Sequence, residues 1–363
     1  MSNELIYIKG LVGSGKSFRI ASLFKKSNND FFIILNNQEE ANYYLNDFEN
    51  ILSKDEVLFF PSSFKKEATQ EIYENSNILL RSEVLKNINN KNKSKLIVSY
   101  SEAIFEKIVS QNTLNNKSVY FDKIKPFSLD SINELLFELG FNRVPFISTP
   151  GEFSIRGGIL DVYSFSYNHP YRLEFFDDKI ERICSFNVEN QLSINAFENI
   201  TILPNTSNID FSNKRYSIFD FFPENTVYVF NDFDKTINSL EKLYANAEKI
   251  YKSKKSEDYL PKSLFINDSE IIEKIKNKNA IIFEPSIHIN KIKKIQINQN
   301  PQPSFNKKFN LLIDHLNNNS RKGFENIIFC SNENQAKRFH DIFQEMEIPV
   351  KYKTIIKPLY KGF

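Results

Sequence analysis

Short apolar runs alternate with amphipathic segments over the first 110 residues. The runs predict strands at 5–8, 31–35, 57–60 and 95–98, and apolar residues at helical spacing predict helices at 16–26, 41–48, 71–87 and 102–109. Strands that alternate with helices are typical of a parallel sheet flanked by helices. Residues 1–117 are therefore predicted to form the first part of an α/β lobe.

The pattern changes near residue 118. From there to about 203, turn residues recur at short intervals between strand-like runs, and a helix is predicted near 131–139. We interpret residues 118–205 as an inserted α+β domain. Residues 206–300, with a helix predicted at 233–252, are then the second part of the first lobe.

A third part follows a segment with the composition of a linker. Residues 296–304 include Pro301 and Pro303. Beyond them, helices are predicted at 311–316 and 334–345, and strands at 326–330 and 350–356. Two strands are too few to cover these helices, so we expect residues 301–363 to be the start of an incomplete α/β unit.

Composition narrows the classes of function. The 363 residues carry 47 Lys+Arg and 45 Asp+Glu, a net charge of +2, so bulk charge does not favour nucleic-acid binding. The two cysteines, Cys184 and Cys330, and the four histidines lack metal-ligand spacing, which argues against a zinc site or a disulfide framework. No leader-like or membrane-spanning apolar run is present, and the sequence predicts a cytoplasmic protein.

Six of the nine glycines lie in two clusters, and the first cluster belongs to a complete GxxxxGK[ST] signature between a predicted strand and a predicted helix. In such a P-loop, backbone N–H groups converge on phosphate oxygens, the lysine neutralises phosphate charge and the hydroxyl ligates Mg²⁺. The predicted site for ATP with Mg²⁺ is formed by Gly10, Gly13, Ser14, Gly15, Lys16 and Ser17, with Ser17 as the metal ligand. The alternative is a strand-to-helix turn whose glycines serve packing.

Hydrolysis requires an acidic pair at a strand end, which holds Mg²⁺ and orients the attacking water. The best candidate strand, 227–230, is followed by Asn231-Asp232-Phe233-Asp234, which contains no Asp-Glu pair. Asp232 could reach the metal through water, but capping of the next helix by Asp232 or Asp234 is the simpler interpretation. We predict no catalytic residues, and negligible ATPase activity from this chain alone. The overall prediction is an α/β protein with a P-loop-type parallel sheet, an inserted α+β domain and an incomplete C-terminal α/β unit.

The second glycine cluster lies in residues 150–186, PGEFSIRGGILDVYSFSYNHPYRLEFFDDKIERICSF. Strand alternation from Tyr171 to Phe176 places Arg172 and Phe176 on the polar face of their strand, and Arg156 takes the same position on its own strand. Arginine beside an exposed aromatic ring is typical of a protein-binding hot spot. The simpler alternatives are that Phe176 covers the edge of the core and that the arginines are solvated surface charges.

The blocks GEFSIRGGILDVY and YRLEFFDDKIERI resemble the second domain shared by the excinuclease component UvrB and the bacterial transcription-repair coupling factors. The segment up to residue 110 resembles the first lobe of the same module. Two features favour the coupling factors. Residues 60–64 stand where UvrB carries a tyrosine-rich hairpin, and the acidic ATPase box is reduced to Asn231-Asp232.

The resemblance implies that Arg156, Arg172 and Phe176 contact the excinuclease component UvrA, which brings nucleotide excision repair to RNA polymerase stalled at DNA damage. It also implies a parent protein that is an ATP-dependent translocase on double-stranded DNA, with its polymerase-binding and motor domains beyond residue 363. Many coupling factors have lost the glycine-lysine signature that this chain keeps, so the resemblance leaves nucleotide binding open.

Two other functions stay open on the sequence. A P-loop ATPase that processes damaged DNA, as UvrB does, predicts phosphate release that disappears in the Lys16→Ala variant. A nucleotide-binding regulatory module without a repair partner predicts a melting temperature that nucleotide raises, without binding of UvrA.

Overall fold

The computed structural model describes residues 4–66, 71–73, 75–88, 93–109, 119–164, 169–202, 215–254, 260–288 and 292–363. Across these ranges the strands, in chain order, are β1 Leu5–Lys9, β2 Phe31–Leu35, β3 Val57–Phe60, β4 Phe64–Lys66, β5 Glu71–Tyr73, β6 Leu96–Tyr100, β7 Ile108–Val109, β8 Val119–Asp122, β9 Asn142–Arg143, β10 Glu152–Arg156, β11 Ile159–Val162, β12 Tyr171–Phe176, β13 Lys179–Phe186, β14 Ser193–Phe197, β15 Asn199–Ile202, β16 Arg215–Tyr216, β17 Val227–Phe230, β18 Asn279–Ile282, β19 Lys293–Gln296, β20 Ile327–Cys330 and β21 Lys353–Ile356.

The α-helices within the same ranges are α1 Gly15–Lys25, α2 Gln38–Ile51, α3 Asn75–Ile88, α4 Ser101–Phe105, α5 Leu129–Glu138, α6 Phe233–Lys254, α7 Pro261–Leu264, α8 Asp268–Ile275, α9 Phe309–Arg321 and α10 Glu333–Glu345. In this described part of the chain, none of the helices is long and apolar enough to cross a membrane.

The largest sheet has seven strands, all paired in parallel, in the order β19-β1-β18-β17-β2-β6-β3. β2 and β6 are buried at all five of their positions because helices cover both faces of the sheet. Continuous runs such as Phe31–Leu35 are therefore what a central parallel strand requires. The predicted fold class, a parallel sheet flanked by helices, is confirmed.

A second sheet has six strands in the order β14-β13-β12-β11-β10-β9, antiparallel except for the β9–β10 pair. One face packs on α5 through Ile132 and Leu136, in a hydrophobic cluster separate from the core of the parallel sheet. Strand β8 leads into this region and β15 leads out of it, and the two are paired antiparallel, with Val119 opposite Ile202. The chain therefore enters and leaves the region at adjacent positions.

Near the C-terminus, α9 and α10 pack with the parallel pair β20 and β21. Their buried apolar cluster consists of Ile313, Leu316 and Phe343, with partly buried residues around it. The predicted helices and strands of residues 301–363 are confirmed as elements, with helix ends extended by a few residues. The proposed division of the chain at 117, 205 and 300 stays a prediction.

Two helix predictions were wrong in part. Residues 71–73 form a strand paired with Phe64–Lys66, and the helix begins at Asn75. The helix predicted for 102–109 ends at Phe105, and Ile108–Val109 pairs with Arg215–Tyr216 instead. In both places strand pairing overrides local helical periodicity. The partner is the neighbouring strand Phe64–Lys66 in the first case and the distant strand Arg215–Tyr216 in the second.

The structure also adds elements that the apolar pattern did not predict. An antiparallel strand pair, β4 with β5, follows β3, where the sequence had suggested only a short connection at 60–64. Strands β18 and β19 complete the parallel sheet on the β1 side. Three of the four residues of β19 are polar (KKIQ), so its pattern carries no strand signal.

Candidate protein-binding face and glycine loop

The outward side of the second sheet brings the predicted partner-binding residues onto one surface. Strand register places Asp161 opposite both Ser154 and Arg172, and Ile159 opposite both Arg156 and Glu174. We call this surface the arginine face, formed by Arg156, Ile159, Asp161, Arg172, Glu174 and Phe176.

Asp161 lies at the centre of the arginine face. Its carboxylate is almost fully buried and accepts hydrogen bonds from Arg156 Nη2 at 2.6 Å and from Arg172 Nε and Nη2 at 2.7 and 2.9 Å. A buried carboxylate is costly unless it is paired, and two guanidinium groups, one of them bidentate, supply the pairing here. The sequence analysis did not single out Asp161. Its signal was a carboxylate in the apolar strand Ile159–Val162.

Each guanidinium group also lies on an aromatic ring. Arg172 is 4.2 Å from the ring centroid of Phe186, and Arg156 is 4.5 Å from that of Phe146. The Gln191 side chain accepts a further hydrogen bond from Arg172 at 2.9 Å, and hydrogen bonding to Asp161 raises the pKa of Arg172 above its ordinary value. These contacts fix the orientation of both planar groups.

Phe176 differs from the arginines in its exposure. Its side chain is 67% exposed at the end of β12, whereas the Arg156 and Arg172 side chains are 38% and 18% exposed. The next residue, Asp177, begins the turn into β13 with φ of 50°. Arg172 and Phe176 are four residues apart on one face, about 13 Å along the strand. The alternative that Phe176 covers the core edge is wrong, and the arginines are ion-paired and partly covered.

A groove of about 400 Å³ lies beside Arg156, lined by residues that include Arg143, Phe146 and Ile155. Phe146 is 69% exposed although its ring carries the Arg156 guanidinium. The sequence analysis missed Phe146, because it lies in the connection between β9 and β10, where no alternation assigns a face. Together, the groove and the arginine face expose two phenyl rings and a surplus of positive charge.

The glycine loop lies between β1 and α1, as predicted. Lys16 Nζ donates to Asn231 Oδ1 at 2.8 Å and is 3.9 Å from a Glu284 carboxylate oxygen. Burial lowers the pKa of Lys16 more than the nearby carboxylates raise it. The Ser17 hydroxyl is buried and donates to Asp47 Oδ2 at 2.8 Å.

The acidic residues after β17 are held by contacts within the protein. Asp232 accepts from the Lys235 backbone N–H at 3.0 Å, which caps the start of α6, and it pairs with the Lys235 ammonium at 3.1 Å. Asp234 accepts from the Ile287 N–H at 3.0 Å. The Asp232 contact agrees with the capping interpretation of the sequence, whereas Asp234 holds the backbone at Ile287 instead.

One segment of the chain matches a known protein-family model. Residues 119–207, which contain the whole second sheet, match the family model of the UvrB interaction domain. The arginine face therefore lies within the residues that match this model.

Two of the relatives described next match a longer part of the chain than the family model does. It is 28% identical over 197 residues to the transcription-repair-coupling factor of Bacillus subtilis (strain 168), and 30% identical over 191 residues to that of Rickettsia typhi; these matches cover 54% and 52% of this chain and 17% of each relative. The factor of Myxococcus xanthus is 38% identical over 78 residues, 22% of this chain and 6% of the relative. The resemblance to the transcription-repair coupling factors is confirmed, and the chain spans about a sixth of their length.

Proposed function

We propose that this chain is the UvrA-recruiting part of a transcription-repair coupling factor, and that the arginine face is the surface that binds UvrA. The observation that carries the proposal is the pair of guanidinium groups held on Asp161, on the same face as the exposed Phe176 ring. The relation to the coupling factors supports a role in transcription-coupled DNA repair.

The energetics of protein interfaces support this assignment. Aromatic rings and arginines are enriched in binding hot spots. The arginine orientations are already fixed by Asp161 and the two aromatic rings, so little rotamer entropy is lost on binding. Two guanidiniums share the Asp161 carboxylate, and Glu174 is paired with Arg182, so one positive charge is left over. That surplus fits a partner surface that offers carboxylates and an apolar pocket for the phenyl ring.

The whole parent protein would then join UvrA to RNA polymerase stalled at DNA damage. We propose that contacts with polymerase and double-stranded DNA, and ATP-driven translocation that displaces the polymerase, belong to other parts of such a protein. The work of this chain is recruitment in the cytoplasm, without hydrolysis of its own.

The proposal is tested by measuring UvrA binding to the full chain and to Phe176→Ala and Arg172→Ala. Each variant should lose more than ~1 kcal/mol, about a fivefold rise in Kd or more. Phe324→Ala is the matched control, because Phe324 is 64% exposed in another part of the chain, and its Kd should be unchanged. Unchanged binding by both arginine-face variants, with melting temperatures that show an intact fold, would refute the proposal.

A second candidate is a P-loop ATPase that processes damaged DNA, favoured by the complete signature from Gly10 to Ser17. It predicts phosphate release from ATP that is lost in Lys16→Ala, together with DNA binding that weakens steeply with salt. We expect the chain to release no phosphate above the level of its Lys16→Ala variant. A clear difference between the two proteins would favour the ATPase.

A further inference from the structure

The glycine loop is in contact with two later segments of its own chain. The Val12 N–H donates to the Gln299 side-chain oxygen at 2.8 Å, and the Ser14 N–H donates to the Lys361 carbonyl at 3.0 Å. In return, the Lys361 N–H donates to the Ser14 hydroxyl at 3.1 Å. In a nucleotide-binding P-loop, such N–H groups are the donors that hold phosphate oxygens.

The space above the loop is filled by the same segments. A Cβ atom on Gly13, where φ is 52°, would lie 2.5 Å from the Gly362 carbonyl oxygen. One on Gly15 would lie 2.4 Å from the Gln299 side chain. The glycines therefore admit the protein's own chain at the positions where a P-loop admits phosphate.

Residues 360–363 contact α1, which follows the loop, and the neighbouring helix α2. The Tyr360 N–H donates to Asp47 Oδ1 at 2.8 Å, and its ring stacks on Tyr43 with the centroids 3.7 Å apart. The Phe363 ring packs on Phe18 at 5.4 Å. The other oxygen of Asp47 accepts from Ser17, so one carboxylate holds both the segment and the hydroxyl expected to ligate Mg²⁺.

This arrangement does not fit ATP with Mg²⁺. Two loop N–H groups, the Ser17 hydroxyl and the Lys16 ammonium all have partners within the protein. We propose that the glycine loop is a docking site for residues 360–363 and the Gln299 side chain, and that this intrachain contact excludes nucleoside triphosphates. Segment and phosphate compete for the same N–H groups, so displacement of the segment makes the loop able to bind nucleotide.

The test compares the full chain with the double variant Gln299→Ala, Tyr360→Ala. Two readouts are measured: hydrogen exchange of the Val12 and Ser14 amides, and affinity for ATP with Mg²⁺ by calorimetry. The variant should exchange these amides at least tenfold faster and bind ATP at least tenfold more tightly than the original chain. Tyr120→Ala is the matched control, because Tyr120 is 48% exposed and Tyr360 54% exposed.

If the Val12 and Ser14 amides exchange as slowly in the double variant as in the original chain, the proposed docking is wrong. If the variant and the original chain bind ATP with equal affinity, or if neither binds it, the proposed exclusion of nucleotide is wrong. A released loop with Lys16 intact should bind phosphate. The variant should keep the UvrA affinity of the original chain. The docking of residues 360–363 and the recruitment of UvrA are therefore tested independently, and a negative result for one does not contradict the other.

Discussion

Asp161 connects the two arginines that were predicted, together with Phe176, to bind the partner. Its side chain is about 2% exposed and receives three charged hydrogen bonds from the two guanidinium groups. The partners are more exposed than the carboxylate, so solvent screens part of each interaction. The main consequence of Asp161 is therefore orientation: both guanidinium planes are fixed on the arginine face.

Replacement of Asp161 by Asn tests whether the orientation of both guanidinium groups depends on the Asp161 carboxylate. The amide removes the charge and offers only one acceptor oxygen for two guanidinium groups. We expect the free energy of unfolding to fall by about 1–3 kcal/mol, below the cost of breaking a fully buried pair. UvrA binding should weaken as well, although Asp161 itself is buried. Chemical denaturation and a binding titration measure the two effects.

The control for that substitution is Glu174→Gln on the same sheet. Glu174 pairs with Arg182 at 3.1 Å, with side-chain exposures of 37% and 51%. An exposed pair contributes little, so the stability should change by less than about 0.5 kcal/mol. If Asp161→Asn and Glu174→Gln lower the free energy of unfolding equally, Asp161 does not have the central role proposed here.

At the scale of elements, the loop after β3 is held by an ion pair that lies well inside the protein. The Arg81 guanidinium on α3 donates to the Pro61 carbonyl at 2.8 Å and lies 3.4 Å from Glu106, whose carboxylate also accepts from the Ser63 N–H. Its carbon lies 4.2 Å above the Phe60 ring. The connection between β3 and β4 is thus fixed from α3 and from the end of α4.

Sequence reasoning predicted the elements that local pattern determines. Buried central strands such as Phe31–Leu35 and amphipathic helices such as Phe233–Lys254 are confirmed. It failed where pairing with a distant segment decides the structure, as in Ile108–Val109 and in the polar strand Lys293–Gln296. Strand alternation placed Phe176 on the polar face of its strand. The position of Asp161 between the two arginines depends on the register of three strands, which alternation does not give.

The same limit applies to the glycine loop. The signature from Gly10 to Ser17 was complete, and the strand and helix around it are confirmed. Its contacts with Gln299 and Lys361 join residues 287 and 347 positions apart, and no local sequence pattern indicates contacts over such separations. The proposal that these contacts exclude nucleotide therefore required the structure and did not follow from the signature.

At the scale of the whole molecule, the second sheet has the features of an independently folding insert. Every buried residue of its hydrophobic cluster lies between Phe121 and Ile202, and the cluster is separate from the core of the parallel sheet. The entering and leaving strands β8 and β15 pair with each other, so removal of the flanking chain breaks no strand pairing within the insert. Compact units with their own core and adjacent ends tolerate excision.

We therefore predict that residues 119–202, expressed alone, unfold in one cooperative transition and bind UvrA within about threefold of the affinity of the full chain. A threefold change is about 0.65 kcal/mol, the scale of rim contacts rather than hot spots. The Phe176→Ala variant of the fragment should lose the same factor as in the full chain, because the arginine face lies wholly within the insert. Thermal unfolding and titration with UvrA measure these quantities. A fragment that folds cooperatively but fails to bind would mean that UvrA also requires the parallel-sheet lobe, and a fragment without a cooperative transition would contradict independence of the insert.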